Sequence, residues 1–280
     1  MSPRRLRRIV VRLLLCSSAL ALVSSCKNET GIQDRPVSGK WPVRVAVAAN
    51  FLGPQADIAA TFTAKTGYAV DTSSGSTGKL YAQIENGAPF HIFLSADEKH
   101  AQWLEERKLA VAGSRFNYAM GTLVLYGHAL AAWPETGMDV LRRNDIRHIA
   151  IANPDLAPYG LAAMQVLDHL QLSDAVTPKL VKGESIAQAF QFVITGAAEI
   201  GFVAKSQVMD KPQGEYREVP SEFHAPILQQ AVLLTTAESH PGAAAFLEFL
   251  QSPDAREIIR ESGYAVPGPP KESSATPTPG

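Results

Sequence analysis

A chain of 280 residues has room for one large or two ordinary domains, and an apolar share of 46% with 19% charged residues is the composition of a globular protein. The two cysteines, Cys16 and Cys26, both lie near the N-terminus, so the rest of the chain has no thiol for a disulfide, a metal site or a nucleophile. With 26 Lys and Arg against 27 Asp and Glu the formal net charge is −1, which argues against a nucleic-acid partner.

Residues 1–25 stand apart. Arg4, Arg5, Arg7, Arg8 and Arg12 make a basic head, and the apolar run from Ile9 to Val23 is too short for a comfortable membrane span. The pattern is that of a secretion signal. Its end, Leu22-Val-Ser-Ser-Cys26, resembles the lipobox of bacterial lipoproteins, which implies lipidation at Cys26 and a membrane-anchored protein in the periplasm or at the cell surface. Removing residues 1–25 takes away five Arg and no acid, leaving 21 basic against 27 acidic residues and a formal charge of −6. A protein of that sign must bind any anion through local donors.

Residues 26–40 are polar and read as a flexible tether, and the fold begins at Trp41. Pro42 to Ala49 is an apolar, β-branched strand, followed by Asn50-Phe-Leu-Gly-Pro54 and a helix whose Ile58, Ala59 and Phe62 share one face up to Gly67. A short strand from Tyr68 to Asp71 leads into the hydroxyl- and glycine-rich run Thr72 to Gly78. A helix starts at Ser76 or Thr77, with Leu80 and Ile84 four residues apart and Gly87 as its stop. Phe90 to Leu94 is the next strand, and a helix from Ser95-Ala-Asp97 runs through Leu109. The order is β-α-β-α-β-α, the grammar of a parallel sheet with helices on its faces.

The second half repeats that grammar. Met120 to Tyr126 reads as one long strand and Ile146 to Ala152 as another. A helix follows Ala157-Pro-Tyr-Gly160, running to Leu170, and Gly183-Glu-Ser-Ile-Ala-Gln188 opens another whose Ile186, Phe190 and Val193 keep helical spacing. Glu199 to Val203 is a strand, Pro226 to Thr235 a return strand, and Gly242 to Leu250 with Asp254 to Glu261 are closing helices. Residues 41–120 with 225–267 would form a discontinuous first domain and residues 121–224 the second, leaving 268–280 as a Pro/Ser/Thr-rich disordered tail.

In open parallel sheets ligands sit outside the carboxyl ends of strands, where helices begin. The polar turns at Asn50, Ser76/Thr77, Pro158-Tyr159 and Ser185-Ile186 all fall there. A helix N-terminus carries about half a positive charge and offers free N–H groups, so termini from two facing halves can hold one small anion without a salt bridge. Taken alone, a Ser/Thr/Gly run before a helix is more often only a cap and a turn.

Val45-Ala-Val-Ala-Ala-Asn-Phe51, Ser73-Ser-Gly-Ser-Thr-Gly-Lys-Leu-Tyr-Ala-Gln-Ile84, Glu85-Asn-Gly-Ala-Pro89 with Leu94-Ser-Ala-Asp97, Ala152-Asn-Pro-Asp155 with Pro158-Tyr-Gly160, and Glu199-Ile-Gly-Phe-Val203 stand in an order that carries a resemblance. From Val43 to Pro267 the chain resembles the molybdate-binding proteins of bacterial molybdenum ABC importers. The resemblance implies an α/β, two-domain periplasmic binding protein fold, each domain a mostly parallel sheet flanked by helices, with the ligand in the interdomain cleft. It implies a monomeric, non-enzymatic receptor that takes up molybdate or tungstate, with no cofactor and no bare metal cation, and delivers it to an ABC importer permease.

The family's hydroxyl or amide ligand after the first strand falls on Asn50. Its Ser before the second helix falls on Thr77, with Ser76 beside it. Backbone donors fall on Tyr159 and Ile186. Where many relatives carry a Tyr after the Gly-Ile-Val strand this chain has Ala204, and Tyr159 is a candidate source of a phenol from another direction. Phe90-His91 replaces an Asp common in relatives and reads as structural.

Other readings stay beside this one. A receptor for sulfate or another small oxyanion uses the same donors, and Asp155 and Glu184 lie near enough in sequence to leave phosphate open. A secreted serine hydrolase would use Ser185 or Ser76, but Gly183-Glu-Ser-Ile-Ala187 lacks the second Gly of a nucleophile elbow. The seven histidines show no spacing that sets two on one face for a metal. Tyr81, Tyr118 and Tyr126 lie on apolar patterns and read as packing residues.

Overall fold

The computed structural model describes residues 40–128, 133–134, 137–211 and 213–268. The signal segment 1–25, the lipidation site Cys26, nearly all of the tether and the tail beyond Gly268 lie outside the described residues.

The described residues form strands β1 (Val43–Ala48), β2 (Val70–Gly75), β3 (Ile92–Ser95), β4 (Phe116–Gly121), β5 (Leu123–Gly127), β6 (Ile149–Ala152), β7 (Leu180–Gly183), β8 (Ile200–Ala204), β9 (Glu215–Glu218) and β10 (Ile227–Leu233). Their helices are α1 (Leu52–Thr66), α2 (Thr77–Glu85), α3 (Lys99–Glu106), α4 (Pro158–His169), α5 (Ser173–Val176), α6 (Ile186–Ile194), α7 (Pro241–Phe249) and α8 (Pro253–Glu261). Two five-stranded sheets result, ordered β2-β1-β3-β10-β4 and β7-β6-β8-β5-β9. Each defines a lobe.

The two sheets are built alike. In the first, β1 pairs in parallel with β2 and β3, while β10 runs antiparallel to β3 and β4. In the second, β6 pairs in parallel with β7 and β8, while β5 runs antiparallel to β8 and β9. The parallel half of each sheet feeds helix N-termini toward the cleft, and the antiparallel half carries the crossings between lobes.

Strand periodicity explains the double covering of the first sheet. Val43, Val45 and Val47 of β1 face a core with Ile58 and Phe62 of α1, Phe246 of α7 and Ile259 of α8. Ala46, one residue out of phase, faces Leu80 and Ile84 of α2 and Leu104 of α3. The second lobe has one continuous core, from Leu123 and Leu125 through Ile149 and Ile151 to Val193 and Phe202, and it reaches across to Ala48, Ala49 and Ala96 of the first lobe.

The apolar run Met120 to Tyr126 is not the single strand its sequence predicts. It divides at Thr122, so β4 ends in the first sheet and β5 begins in the second. Gly121 marks the division, where a Cβ would collide with the Tyr159 hydroxyl of the other lobe. Hydropathy alone cannot see such a change of sheet. The second strand is also longer than predicted, because Thr72 to Gly75 continue the parallel pairing as far as Ala48↔Gly75. As an edge strand it needs no apolar face there.

Candidate functional site

A small cavity lies between the lobes, lined by Ala48, Ala49, Asn50, Gly75, Ser76, Thr77, Ala96, Ala157, Pro158, Tyr159 and Ile186. It brings together every predicted oxyanion residue: Asn50, Ser76, Thr77, Tyr159 and Ile186. Each stands just past the carboxyl end of a strand: Asn50 after β1, Ser76 and Thr77 after β2, Tyr159 beyond β6 and Ile186 beyond β7.

The helix starts converge on this cavity. Asn50 lies in the 3₁₀ turn Ala49–Phe51, Thr77 opens α2, Tyr159 is the second residue of α4, and Ile186 opens α6. N–H groups in a first helical turn have no intrahelical acceptor, so both lobes present backbone donors and the positive ends of helices. No charged residue lines the cavity. It is a site of neutral donors.

Ser76 is the N-cap of α2 yet makes no side-chain cap bond, and its Oγ is buried with no hydrogen-bond partner among the described residues. An unpaired buried hydroxyl costs free energy unless something fills its place. Thr77 Oγ1 accepts the Ala96 N–H at 3.2 Å, which leaves the hydroxyl proton of Thr77 to donate.

The Asn50 side chain is hydrogen-bonded within the first lobe. The Tyr264 hydroxyl lies 2.7 Å from the Asn50 carbonyl, a separation that requires the phenol proton between them. Tyr264 therefore accepts from Asn50 Nδ2 at 3.1 Å, and the same nitrogen donates to Gln229 Oε1 at 2.9 Å. With both amide protons engaged, the donor left to Asn50 is its backbone N–H.

The Tyr159 phenol is also engaged. It accepts from Gln229 Nε2 at 3.3 Å and is hydrogen-bonded to Tyr264. What Tyr159 offers the cavity is its N–H. At Ala204 the N–H donates to Gln207 Oε1 at 3.0 Å, and Gln207 Nε2 donates to the Ile186 carbonyl at 3.3 Å, tying the first turn of α6 to the end of β8.

Burial raises the hydroxyls of Tyr118 and Tyr159 well above the ordinary tyrosine value and Tyr264 to about 12, so all three remain neutral. Tyr118 packs edge-on against Phe51, as its apolar surroundings predict, but its hydroxyl also donates to Gln229 Oε1 at 2.9 Å. The polar layer behind the cavity was not apparent from turn motifs. Its signal was Gln229-Gln230 inside the apolar strand Ile-Leu-Gln-Gln-Ala-Val-Leu, since amides buried in a strand must be paired.

The remaining candidates fall elsewhere. Ser185 Oγ accepts the Gln188 N–H at 3.4 Å and caps α6. Glu184 pairs with Lys79 across the cleft at 2.6 Å, and neither it nor Asp155 lines the cavity. Among the described residues no base bonds the Ser76 hydroxyl. His91 Nδ1 accepts the Arg44 N–H at 3.1 Å, a structural role. Among the described residues no group of three or more His, Cys, Asp or Glu could hold a metal ion.

This geometry can bind a small, fully deprotonated oxyanion, and it offers no carboxylate to accept a remaining acid proton. Residues 43–265 match the model of the bacterial extracellular solute-binding protein family. The molybdate-binding protein ModA of Azotobacter vinelandii is 49% identical over 227 residues, covering 80% of this chain and 90% of that protein. The chain belongs to the molybdate-binding proteins among bacterial extracellular solute-binding proteins. ModA of Rhodobacter capsulatus is 46% identical over 224 residues, with 80% and 88% covered. The solved Azotobacter vinelandii periplasmic molybdate-binding protein superposes with a TM-score of 0.77 at 44% identity, covering 81% of this chain and all of that one. The family's two-domain binding fold is the one described above.

Proposed function

We propose that this protein captures molybdate or tungstate between its two lobes outside the cytoplasm and presents the closed form to the permease of an ABC importer. The observation that carries the reading is the interlobe cavity itself. It combines converging helix N-termini, the unpartnered Ser76 hydroxyl and the Thr77 hydroxyl, with no charged side chain in its lining. A dianion without an acid proton needs donors alone, and each charge-assisted hydrogen bond contributes about 1.5–3 kcal/mol.

Closure links the ligand to the partner. The Gly78 N–H to Leu156 carbonyl bond and the Lys79–Glu184 pair both join the lobes, so the surface a permease reads depends on the anion's two walls being together. The reading takes residues 41–120 with 225–267 as one domain and 121–224 as the other, a division supported by the order of strands in the two sheets. The same reading takes Cys26 as the lipidated first residue of a monomeric receptor anchored in the periplasm or at the cell surface. It assigns the protein no catalytic step.

Thermal unfolding with each anion tests the ligand. Molybdate and tungstate should raise the midpoint by mass action, whereas phosphate should leave it unchanged. Absence of a shift with both molybdate and tungstate overturns the assignment. Cys26→Ser should release the protein from membranes.

A further inference from the structure

Gln229 is fully buried, with no exposed surface, in the strand that lies between β3 and β4. The pairing of β10 with β4 slips here: Gln229 faces Ala119 while Gln230 faces Asn117, so Tyr118 is the extra residue of a bulge. That bulge lets the Tyr118 hydroxyl reach Gln229 Oε1. Successive strand residues point to opposite faces, and Gln230 accordingly bonds elsewhere, to Asn117 and Arg115.

The Gln229 amide joins the two walls of the cavity. Its Oε1 accepts from Asn50 Nδ2 at 2.9 Å in the first lobe, and its Nε2 donates to the Tyr159 hydroxyl at 3.3 Å in the second. Both partners line the oxyanion cavity. The gap is kept open by Gly121, where any side chain would collide with the Tyr159 hydroxyl. Tyr264 closes the ring by bonding Asn50 and Tyr159, and Ser206 of the second lobe donates to the Asn50 carbonyl at 3.0 Å.

We propose that Gln229 is a positioning residue that sets the width of the oxyanion cavity, acting as a spacer between Asn50 of the first lobe and Tyr159 of the second. The inference rests on the oxyanion reading of the cavity. Gln229 touches no ligand; it fixes how far the Asn50 N–H stands from the Tyr159 N–H. Molybdate and tungstate are larger than sulfate but carry the same charge and shape. A cavity of fixed width disfavours the smaller dianion, because donors on one wall cannot follow it. A cavity whose walls can slide accepts both. The spacer therefore gives size discrimination, which charge alone cannot supply.

The test is calorimetric titration of the full chain and of Gln229→Met and Tyr159→Phe with molybdate, and with sulfate by competition. Tyr159→Phe keeps the backbone N–H and removes the hydroxyl that Gln229 and Tyr264 hold, so it carries the test if Gln229→Met does not fold. Both variants should bind molybdate about tenfold more weakly while sulfate is unchanged or tighter, narrowing the preference by at least that factor. Equal weakening toward both anions, or wild-type affinities throughout, overturns the spacer role. Failure of the unmodified protein to bind molybdate overturns the oxyanion reading and the spacer together.

Discussion

The Gly78 N–H donates to the Leu156 carbonyl at 2.9 Å, a backbone hydrogen bond that joins the start of α2 in one lobe to the loop before α4 in the other. A Cβ on Gly78 would stand 3.3 Å from both the Leu156 Cα and its carbonyl oxygen, tighter than an ordinary contact. Two pieces of main chain meet here, and neither can swing aside as a long side chain would.

Gly78→Ala should therefore act on closure. In a helix Ala is favoured over Gly by about 0.8–1.0 kcal/mol, so the ligand-free protein should keep or slightly raise its thermal midpoint. Molybdate affinity should fall by about tenfold, because the lobes stop a few tenths of an ångström short. Calorimetry paired with thermal unfolding of the ligand-free protein separates these effects. A parallel loss of stability would instead assign Gly78 to helix packing.

Ser76→Ala removes the unpartnered buried hydroxyl. Its loss should weaken molybdate binding by about 1.5–3 kcal/mol, the range for a hydrogen bond to a charged group. The ligand-free midpoint should hold or rise, since an unsatisfied polar group leaves the interior. Unchanged affinity in Ser76→Ala would remove this hydroxyl from the anion's donors.

Asn50→Ala should behave otherwise. Its amide holds Gln229 and Tyr264, and its N–H survives the substitution. Stability and affinity should fall together, with each lost hydrogen bond contributing about 0.5–1.5 kcal/mol to the fold. Thr77→Ala frees only the Ala96 N–H and one hydroxyl, so affinity should suffer more than stability. Comparing the two variants by urea unfolding and by titration distinguishes a network residue from a donor.

The location of the cavity was legible because it rests on local rules. Apolar strands followed by Ser, Thr, Asn or Pro mark helix starts: α2 begins at the expected Thr77, α6 at Ile186 inside the Gly183–Gln188 stretch expected to open it, and α4 at Pro158, inside the turn it was expected to follow. What escaped is what depends on distant pairing. Strands β7 and β9 are short and partly exposed, and Glu215-Tyr-Arg-Glu218 has no apolar face to announce it. Nothing local tells that Tyr118, Gln229 and Tyr264 meet behind Asn50, since separations of 111 and 214 residues divide Tyr118 from Gln229 and Asn50 from Tyr264. Nor could spacing show that the Asn50 amide is engaged by Gln229 and Tyr264.

His91 gives the fold a predictable acid sensitivity. Burial first, then His240 and Arg44 beside it, lower its pKa from 6.5 to about 4. The rings of His91 and His240 are 4.5 Å apart, and His91 Nδ1 is engaged by the Arg44 N–H. The unfolded chain takes up this proton near the ordinary histidine value and the folded chain does not. The contribution to stability is thus complete above about pH 6.5, declines as the pH falls toward 4, and changes no further below that. His91→Asn keeps an acceptor for Arg44 and does not titrate, so its urea midpoint should fall less steeply across this window. Identical pH profiles for the two proteins would contradict the account.

A cavity of neutral donors, closed from both lobes, should select a dianion with no proton left to give. The most direct measurement of that selection is calorimetric titration of the purified protein with molybdate and with phosphate near neutral pH. Molybdate should titrate into one saturable site per chain, and phosphate should give no saturable heat. Phosphate binding as tightly as molybdate, or no heat with molybdate, would contradict it.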